Sequence, residues 1–123
     1  MFDKFKAMSA MAALMQNKDK LRAAGQRIKE QSQEVRVTGE GGAGAVRVTV
    51  NGQMKVLSVE LTPALVTGMA ADEKTRALAG DLIAEAVNSA NTQAQARVKA
   101  ILEKEAKELG LPDLPGDITG LLT

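Results

Sequence analysis

The hydrophobic and polar positions in the first part of the chain follow the period of a helix. From about residue 4 to residue 34 the apolar side chains lie three, four or seven positions apart, and no proline interrupts them. Four of them keep a strict seven-residue spacing: Leu14, Leu21, Ile28 and Val35. Such a seam suits packing along another helix, but the residues midway along it are polar or small, so we expect it to be partly intramolecular. Gly25 within this helix predicts either a close helix approach or a bend.

The period then changes to two, which is typical of half-buried strands. Valines alternate with other residues at Val35, Val37, Val46, Val48 and Val50. Asn51-Gly52 tolerates the positive φ of a tight hairpin turn, so the second and third strands are predicted to be antiparallel neighbours. In the third strand the apolar phase shifts after Val56, which predicts a bulge, and the strand ends before Pro63.

A second long helix is predicted from about Asp72 to Leu109, because acidic residues at its start suit the positive end of a helix. Its predicted buried stripe consists of Leu78, Leu82, Ala86, Ala90, Ala94, Val98, Ile101 or Leu102, and Leu109. The alanines would let another backbone approach closely. Glu103, Glu105 and Glu108, beside lysines, are interpreted as a solvated charged face, and Gly110 is expected to cap the helix.

These elements predict an α+β fold with a long N-terminal helix, a three-stranded antiparallel meander and a long C-terminal helix. We expect a single domain over residues 1–110, followed by a tail of residues 111–123 that contains proline, glycine and leucine. A three-stranded sheet has two open edges. Pairing one edge with a second copy of the chain would remove it, so a homodimer with joined sheets is predicted.

The segment of residues 39–44 satisfies the dinucleotide-binding spacing G-x-G-x-x-G. That motif works by delivering a pyrophosphate to the start of a following helix, whereas here a strand follows. We therefore interpret the segment as a flexible connection between the first two strands. No nucleotide cofactor and no small-molecule substrate are expected.

The chain contains no cysteine and no histidine, which excludes disulfides, thiolate chemistry, the usual zinc sites and the commonest general base. Its acidic residues do not follow the spacing of a calcium-binding loop. We therefore predict a protein that is not an enzyme and has no metal site. No apolar run approaches the roughly 18 residues that span a bilayer, so a cytoplasmic location without membrane association is expected.

Charge is unevenly distributed, although the net charge is only +1. Residues 1–55 contain ten basic and five acidic residues, whereas residues 56–123 contain six basic and ten acidic residues. This asymmetry indicates either two solvated helices of opposite bias or an N-terminal half that faces a polyanion. Lys18, Arg22 and Lys29 lie close to one helical stripe, and phosphate contacts need only such charges. Because tryptophan and tyrosine are absent, single-strand stacking is not expected, and the polyanion would be duplex DNA bound with little sequence preference.

The alternative is a protein–protein interaction module without DNA binding. Met8, Met11 and Met15 follow helical spacing and are interpreted as core filler or as an adaptable apolar surface for a partner. In this interpretation the tail, from Leu111 to Leu122, would help to hold that partner.

The central block of the chain carries a family resemblance. Residues 35–52, VRVTGEGGAGAVRVTVNG, are similar to the pattern V-T-G-x-x-G-A-G-x-V-x-V-x-x-x-G of the YbaB/EbfC family. The first helix, the third strand, the second helix and residues 110–112 resemble the family as well, so the likeness covers nearly the whole chain.

The resemblance implies a homodimer whose sheets join at its centre and whose helices project. It also implies a nucleoid-associated protein of the bacterial nucleoid that binds double-stranded DNA through those projecting helices, with no catalytic residue to carry over. The matching basic positions are Lys18, Lys20, Arg22, Arg27 and Lys29 in the first helix, with Arg97 and Lys99 in the second helix as weaker candidates.

Overall fold

The computed structural model describes residues 18–110. They form α1 (Lys18–Glu34), β1 (Val37–Gly41), β2 (Val46–Val50), β3 (Val56–Leu61), α2 (Pro63–Ala71) and α3 (Glu73–Glu108). The α+β class and the order of helix, meander and helix predicted from the sequence are confirmed.

The short helix α2 is an element that the hydrophobic pattern does not predict. Thr62 caps it, because its hydroxyl oxygen accepts a hydrogen bond from the backbone N–H of Leu65 at 3.4 Å. Pro63 occupies the start of the helix, where its missing N–H leaves no hydrogen bond unmade. The same proline therefore ends β3 and begins α2.

The sheet is an antiparallel meander in the order β1-β2-β3. Val37 of β1 is opposite Val50 of β2, and Val48 of β2 is opposite Val59 of β3. Alternate residues of β1 and β2 are buried, and the largest fully buried side chains are Val46, Val48 and Val50. The half-buried strands predicted from the alternating valines are confirmed.

The predicted bulge is present in β3. Thr49 pairs with Ser58, but the next pair joins Val50 to Val56, so Leu57 is an extra residue of β3. One extra residue reverses the side on which the following side chains lie, which accounts for the phase shift in the sequence.

The turn between β2 and β3 is longer than the two-residue hairpin predicted at Asn51-Gly52. The side-chain oxygen of Asn51 accepts hydrogen bonds from the backbone N–H groups of Gln53 and Lys55, at 2.9 and 3.1 Å. The backbone N–H of Asn51 in turn donates to the carbonyl oxygen of Lys55 at 3.1 Å. The antiparallel pairing is confirmed, and the predicted turn type is wrong.

Gly52 is needed in this turn for space rather than for a positive φ. The residue with positive φ is Met54, at 61°. A Cβ at Gly52 would lie 2.7 Å from the carbonyl oxygen of Ser32, which accepts a hydrogen bond from the Gly52 N–H at 2.8 Å. The turn thereby joins the sheet to the C-terminal end of α1.

The glycine-rich segment of residues 39–44 is only partly a connection. Gly39 and Gly41 belong to β1, and a Cβ at either position would overlap the backbone of α3. The turn itself covers residues 42–45 and includes three consecutive residues with positive φ, between 55° and 96°. The interpretation as a flexible connection is therefore wrong for the part that lies in β1.

The ends of α3 agree with those predicted from the sequence. Asp72 is the N-cap, and its side chain accepts a hydrogen bond from the backbone N–H of Lys74 at 3.0 Å. Gly110 follows the last turn with a φ of 74°, a conformation that favours glycine.

The buried stripe of α3 packs against β1 and β2 and consists mostly of small residues. Its fully buried residues are Ala79, Ala86, Ala90 and Ala94. Leu78, which is predicted to be buried, is 51% exposed, because the stripe begins one residue later, at Ala79.

α1 packs against α3 with few buried side chains. Ala24 and Ser32 are buried, and Leu21 and Ile28 are half-buried. The bend expected at Gly25 is wrong, because α1 continues through it. No close helix approach occurs at Gly25 among residues 18–110 either, since a Cβ there would meet none of them within 4 Å. The apolar seam predicted along α1 is thus partly buried against α3 of the same chain.

β3 lies at the margin of the surface that α3 covers. Its residues are exposed apart from the half-buried Leu61. Val56, Leu57 and Val59 are 44%, 40% and 48% exposed. Within residues 18–110, one edge of β3 has no strand beside it.

Candidate nucleic-acid interface

The seven basic residues predicted to contact DNA are all exposed. They are Lys18, Lys20, Arg22, Arg27 and Lys29 of α1, and Arg97 and Lys99 of α3. Exposure alone does not bring them together, so their positions around each helix decide which of them share a surface.

The basic residues of α1 divide into two groups. With about 100° between successive residues of a helix, Lys18, Arg22 and Lys29 lie within about 40° of one another. Lys20 and Arg27 lie within about 20° of each other, on nearly the opposite side of the helix. The buried face of α1 separates the groups. We call Lys18, Arg22 and Lys29 the cationic row.

A cleft of about 320 Å³ lies beside this row, between α1, the β2–β3 turn and α3. Its lining includes Ile28, Lys29, Ser32, Met54, Val98 and Leu102. Lys29 is the charged residue of this lining, so the cationic row follows the flank of α1 that faces the β2–β3 turn.

The two basic residues of α3 do not share a face. Arg97 and Lys99 are two positions apart, which places their side chains about 160° from each other around the helix. Val98, between them, is buried, so Arg97 and Lys99 lie on opposite sides of the buried stripe.

Arg27 is bound to a buried carboxylate. Its Nε donates to both carboxylate oxygens of Glu105, at 3.3 and 3.1 Å, and its Nη2 donates to Oε2 at 3.0 Å. Gln31, one turn further along α1, donates to Oε1 of Glu105 at 3.0 Å. The Glu105 side chain is only 3% exposed, and that of Arg27 is 46% exposed. We call Arg27, Gln31 and Glu105 the Glu105 cluster.

These hydrogen bonds shift the titration of both charged groups. The bond from Arg27 lowers the pKa of the Glu105 carboxyl, burial opposes it, and the bond from Gln31 lowers that pKa further. The same bond raises the pKa of Arg27. Glu105 is therefore held in its charged form.

The interpretation of Glu105 as part of a solvated charged face is wrong. Glu103 and Glu108 are exposed, but Glu105 is 2% exposed. The signal was available in the spacing, because Glu105 follows Val98 by seven residues and so continues the buried stripe. A charged residue on a buried stripe needs a partner, which Arg27 supplies.

Of the seven basic residues predicted to contact DNA, Arg27 forms a salt bridge with another residue in the range 18–110. Among residues 18–110, salt bridges join Arg27 to Glu105 and Arg47 to Glu40. Within that range the three side chains of the cationic row have no carboxylate within 4.0 Å.

Two kinds of feature are absent from the part of the chain that the structure describes. Between residues 18 and 110 there is no group of three or more histidine, cysteine, aspartate or glutamate side chains placed to hold a metal ion. None of the helices that the structure describes is long and apolar enough to cross a membrane.

Some of the predictions concern residues outside the described range. These residues are Leu14, the methionines Met8, Met11 and Met15, and the tail of residues 111–123.

Two nucleoid-associated proteins are similar to this chain. One, from Francisella tularensis subsp. novicida, is 33% identical over 110 residues, which is 88% of this chain and 92% of that protein. Another, from Pseudomonas fluorescens, is 30% identical over 102 residues, or 83% of this chain and 89% of that protein.

The fold also has a counterpart among solved structures. The uncharacterized protein HP0035 from Helicobacter pylori superposes with a TM-score of 0.51 and 17% identity, over 68% of this chain and 92% of that one. This likeness concerns the fold alone. The sequence profile of the YbaB/EbfC DNA-binding family matches residues 8–109, and the chain therefore belongs to that family.

Proposed function

We propose that this chain is a nucleoid-associated protein that binds double-stranded DNA as a homodimer with little sequence preference, in the nucleoid of the bacterial cytoplasm. Membership of a DNA-binding family and the names of its relatives support the proposal. The observation that carries it is the cationic row, Lys18, Arg22 and Lys29, exposed along one flank of α1.

The row suits the charge pattern of a duplex. Lys18 and Lys29 are eleven residues apart, which corresponds to about 16 Å along a helix, or the rise of about five base pairs of B-DNA. Phosphates repeat along DNA whatever the base sequence, so contacts with them provide affinity without selectivity. The chain has two phenylalanines and no other aromatic residue, which leaves little for stacking on unpaired bases.

The other basic residues have secondary parts in this proposal. Lys20 lies across α1 from the row, and Arg97 and Lys99 lie on opposite sides of α3. One straight duplex cannot lie against all of these surfaces at once. They therefore add to the positive field around the protein rather than to the row's direct contacts.

The uncovered apolar residues of β3 support the homodimer. Val56, Leu57 and Val59 are between 40% and 48% exposed, and no strand formed by the described residues lies along the outer edge of β3. A second copy paired along this edge would cover both the apolar side chains and the unpaired backbone groups. Two copies also present two cationic rows, and binding of the first row raises the effective concentration of DNA at the second.

The experiment is a fluorescence-anisotropy titration of the protein into a labelled random-sequence duplex, repeated at several salt concentrations. We expect affinity to fall steeply as salt rises, because each phosphate contact releases counterions. The double variant Arg22→Ala with Lys29→Ala should bind more weakly, with a salt slope reduced by roughly 0.9 for each phosphate that it no longer neutralises.

A matched control variant removes the same charge elsewhere. Lys74→Ala with Arg76→Ala takes two exposed basic residues from the first turn of α3, at the opposite end of that helix from Glu105 and α1. We expect its salt slope to equal that of the wild type. An equal reduction of affinity in both variants would contradict the assignment to the row. Absence of duplex binding by the wild type at low salt would contradict the proposed function itself.

A further inference from the structure

The Glu105 cluster joins α1 to α3 at a single, well-defined point. Three hydrogen bonds from Arg27 and one from Gln31 converge on one carboxylate. The planar guanidinium and the carboxylate fix their relative orientation as well as their distance. The cluster therefore fixes the orientation of α1 relative to α3, in both its tilt and its rotation about its own axis.

Apolar packing alone would hold α1 loosely. The buried residues of Lys18–Glu34 are Ala24 and Ser32, both small, and Leu21 and Ile28 are only half-buried. Small side chains of this kind resist separation of the helices but do little to prevent one helix from rolling on the other. At the C-terminal end of α1, the carbonyl oxygen of Ser32 accepts the N–H of Gly52 at 2.8 Å.

Two points thus fix α1: Lys29 lies between them, whereas Lys18 and Arg22 lie beyond the Glu105 cluster, toward the start of the helix. Lys18 lies nine residues before Arg27, about 13.5 Å along the helix. A tilt of about 15° at the Glu105 cluster would displace Lys18 by about 3.5 Å, which exceeds the tolerance of a hydrogen bond to phosphate.

Direct contact of Arg27 with DNA is the competing role for this residue. Such a contact would draw the guanidinium away from Glu105 and leave a buried carboxylate without its cationic partner. The opposite charge of Glu105 also cancels most of the field that Arg27 would present to a phosphate.

We infer that Arg27 is a positioning residue: with Gln31 it binds Glu105, sets the orientation of α1, and thereby aligns Lys18, Arg22 and Lys29 with the DNA backbone. The inference rests on the proposed function. It assigns Arg27, one of the predicted DNA contacts, and Glu105, an acidic residue, to the same task.

The first test is the sign of the effect of Glu105→Gln on duplex affinity. Removing a negative charge would by itself strengthen binding to a polyanion. We expect the opposite, a weakening of roughly three- to tenfold in the anisotropy titration, as when one or two phosphates are no longer neutralised. Glu103→Gln, at an exposed position of the same helix, removes the same charge and should bind as tightly as the wild type or slightly more tightly.

A charge exchange separates positioning from direct contact. Arg27→Glu together with Glu105→Arg rebuilds the ion pair with its charges reversed and leaves the net charge unchanged. We expect this double variant to recover most of the affinity that either single change removes. If Arg27 contacts phosphate directly, the double variant will bind as poorly as Arg27→Glu alone, and the inference is wrong. Arg27→Lys, the mildest change, keeps the charge but loses the planar geometry, and we expect it to bind more weakly than the wild type.

A spectroscopic measurement reports the orientation of α1 without DNA. Because the chain has no cysteine, Ala23→Cys on α1 and Ala100→Cys on α3, both exposed, can carry spin labels in an otherwise unlabelled protein. Labelled chains are diluted with unlabelled ones so that the distances lie within one chain. We expect a narrow distance distribution in the wild type and in the charge exchange, and a broad one in Glu105→Gln.

The outcomes distinguish this inference from the proposed function. A broadened distribution with unchanged duplex affinity would overturn the positioning role and leave DNA binding intact. An unchanged distribution in Glu105→Gln would overturn the structural role of the cluster. A wild type that shows the narrow distribution but binds no duplex would overturn the proposed function, and the positioning role with it.

Discussion

Gly39 of β1 lies directly against Ala90 of α3. A Cβ built at Gly39 would stand 3.0 Å from the Ala90 Cα and would overlap the backbone nitrogen of Ala90 and the carbonyl oxygen of Ala86. Gly41 has the same relationship to the carbonyl oxygen of Leu82. The strand and the helix thus approach until their backbones are in contact, which requires glycine at both positions of the strand.

The variant Gly39→Ala is therefore expected to destabilise the fold. The obstruction is backbone on a long helix, which cannot move aside as a flexible side chain could, and overpacking of this kind costs about 1–3 kcal/mol. Urea denaturation followed by circular dichroism measures the change. A midpoint equal to that of the wild type would show that α3 can shift away from β1 without cost.

Gly25→Ala and Gly80→Ala should have the opposite effect. Both glycines lie inside helices, and a Cβ at either would meet no other residue between 18 and 110 within 4 Å. Replacing an exposed helical glycine with alanine stabilises a helix by about 1 kcal/mol. The same denaturation assay should show higher midpoints. A destabilised Gly25→Ala would indicate that another surface, such as that of a second copy, packs on α1 there.

The sheet could be predicted from the sequence because its signals are local. Alternating valines identify β1 and β2, and the phase shift after Val56 locates the bulge. Side chains alternate between the two faces of a strand, so the buried face can be identified from consecutive residues in the sequence. The ends of α3, at Asp72 and Gly110, are local in the same sense.

The candidate site was less predictable because it depends on packing between distant segments. The stripe of Lys18, Arg22 and Lys29 is visible in the sequence, but the pairing of Arg27 with Glu105 is not. Glu105 and Arg27 are 78 positions apart, and only the packing of α1 on α3 brings them together. The exposure of Leu78 has a similar cause, since the buried stripe of α3 is decided by where the sheet lies.

The β2–β3 turn should depend on the side chain of Asn51. Its oxygen accepts two backbone N–H groups, at 2.9 and 3.1 Å, and the residue is 6% exposed. Asn51→Ala leaves both donors unsatisfied in a partly buried turn, which is expected to cost about 1–3 kcal/mol of unfolding free energy. Asn51→Asp keeps an acceptor in place and should cost less. Equal destabilisation by the two variants would contradict the role assigned to the side-chain oxygen.

The homodimer predicts the effect of a charge on β3. Val59→Lys places a cation among the exposed apolar residues of this strand and should yield a monomer in light scattering coupled to gel filtration. Ser58→Lys is the control, because neighbouring residues of a strand lie on opposite faces of the sheet. We expect Ser58→Lys to remain a dimer. A wild type that elutes with the mass of one chain would contradict the homodimer itself.

The Glu105 cluster predicts how stability depends on pH. Because the pKa of Glu105 in the folded protein is below its ordinary value, the unfolded chain binds a proton at this group more readily than the folded one. Its stabilisation is therefore complete above the ordinary pKa of a glutamate, about 4.3, and is lost as the pH falls through the folded pKa. Arg27 stays charged throughout this range, since its pKa is raised. In urea denaturation, the stability difference between the wild type and Glu105→Gln should be largest near neutral pH and should shrink in acid. The same comparison with the exposed Glu103→Gln should show little change with pH, and a constant difference for Glu105→Gln would contradict a lowered pKa.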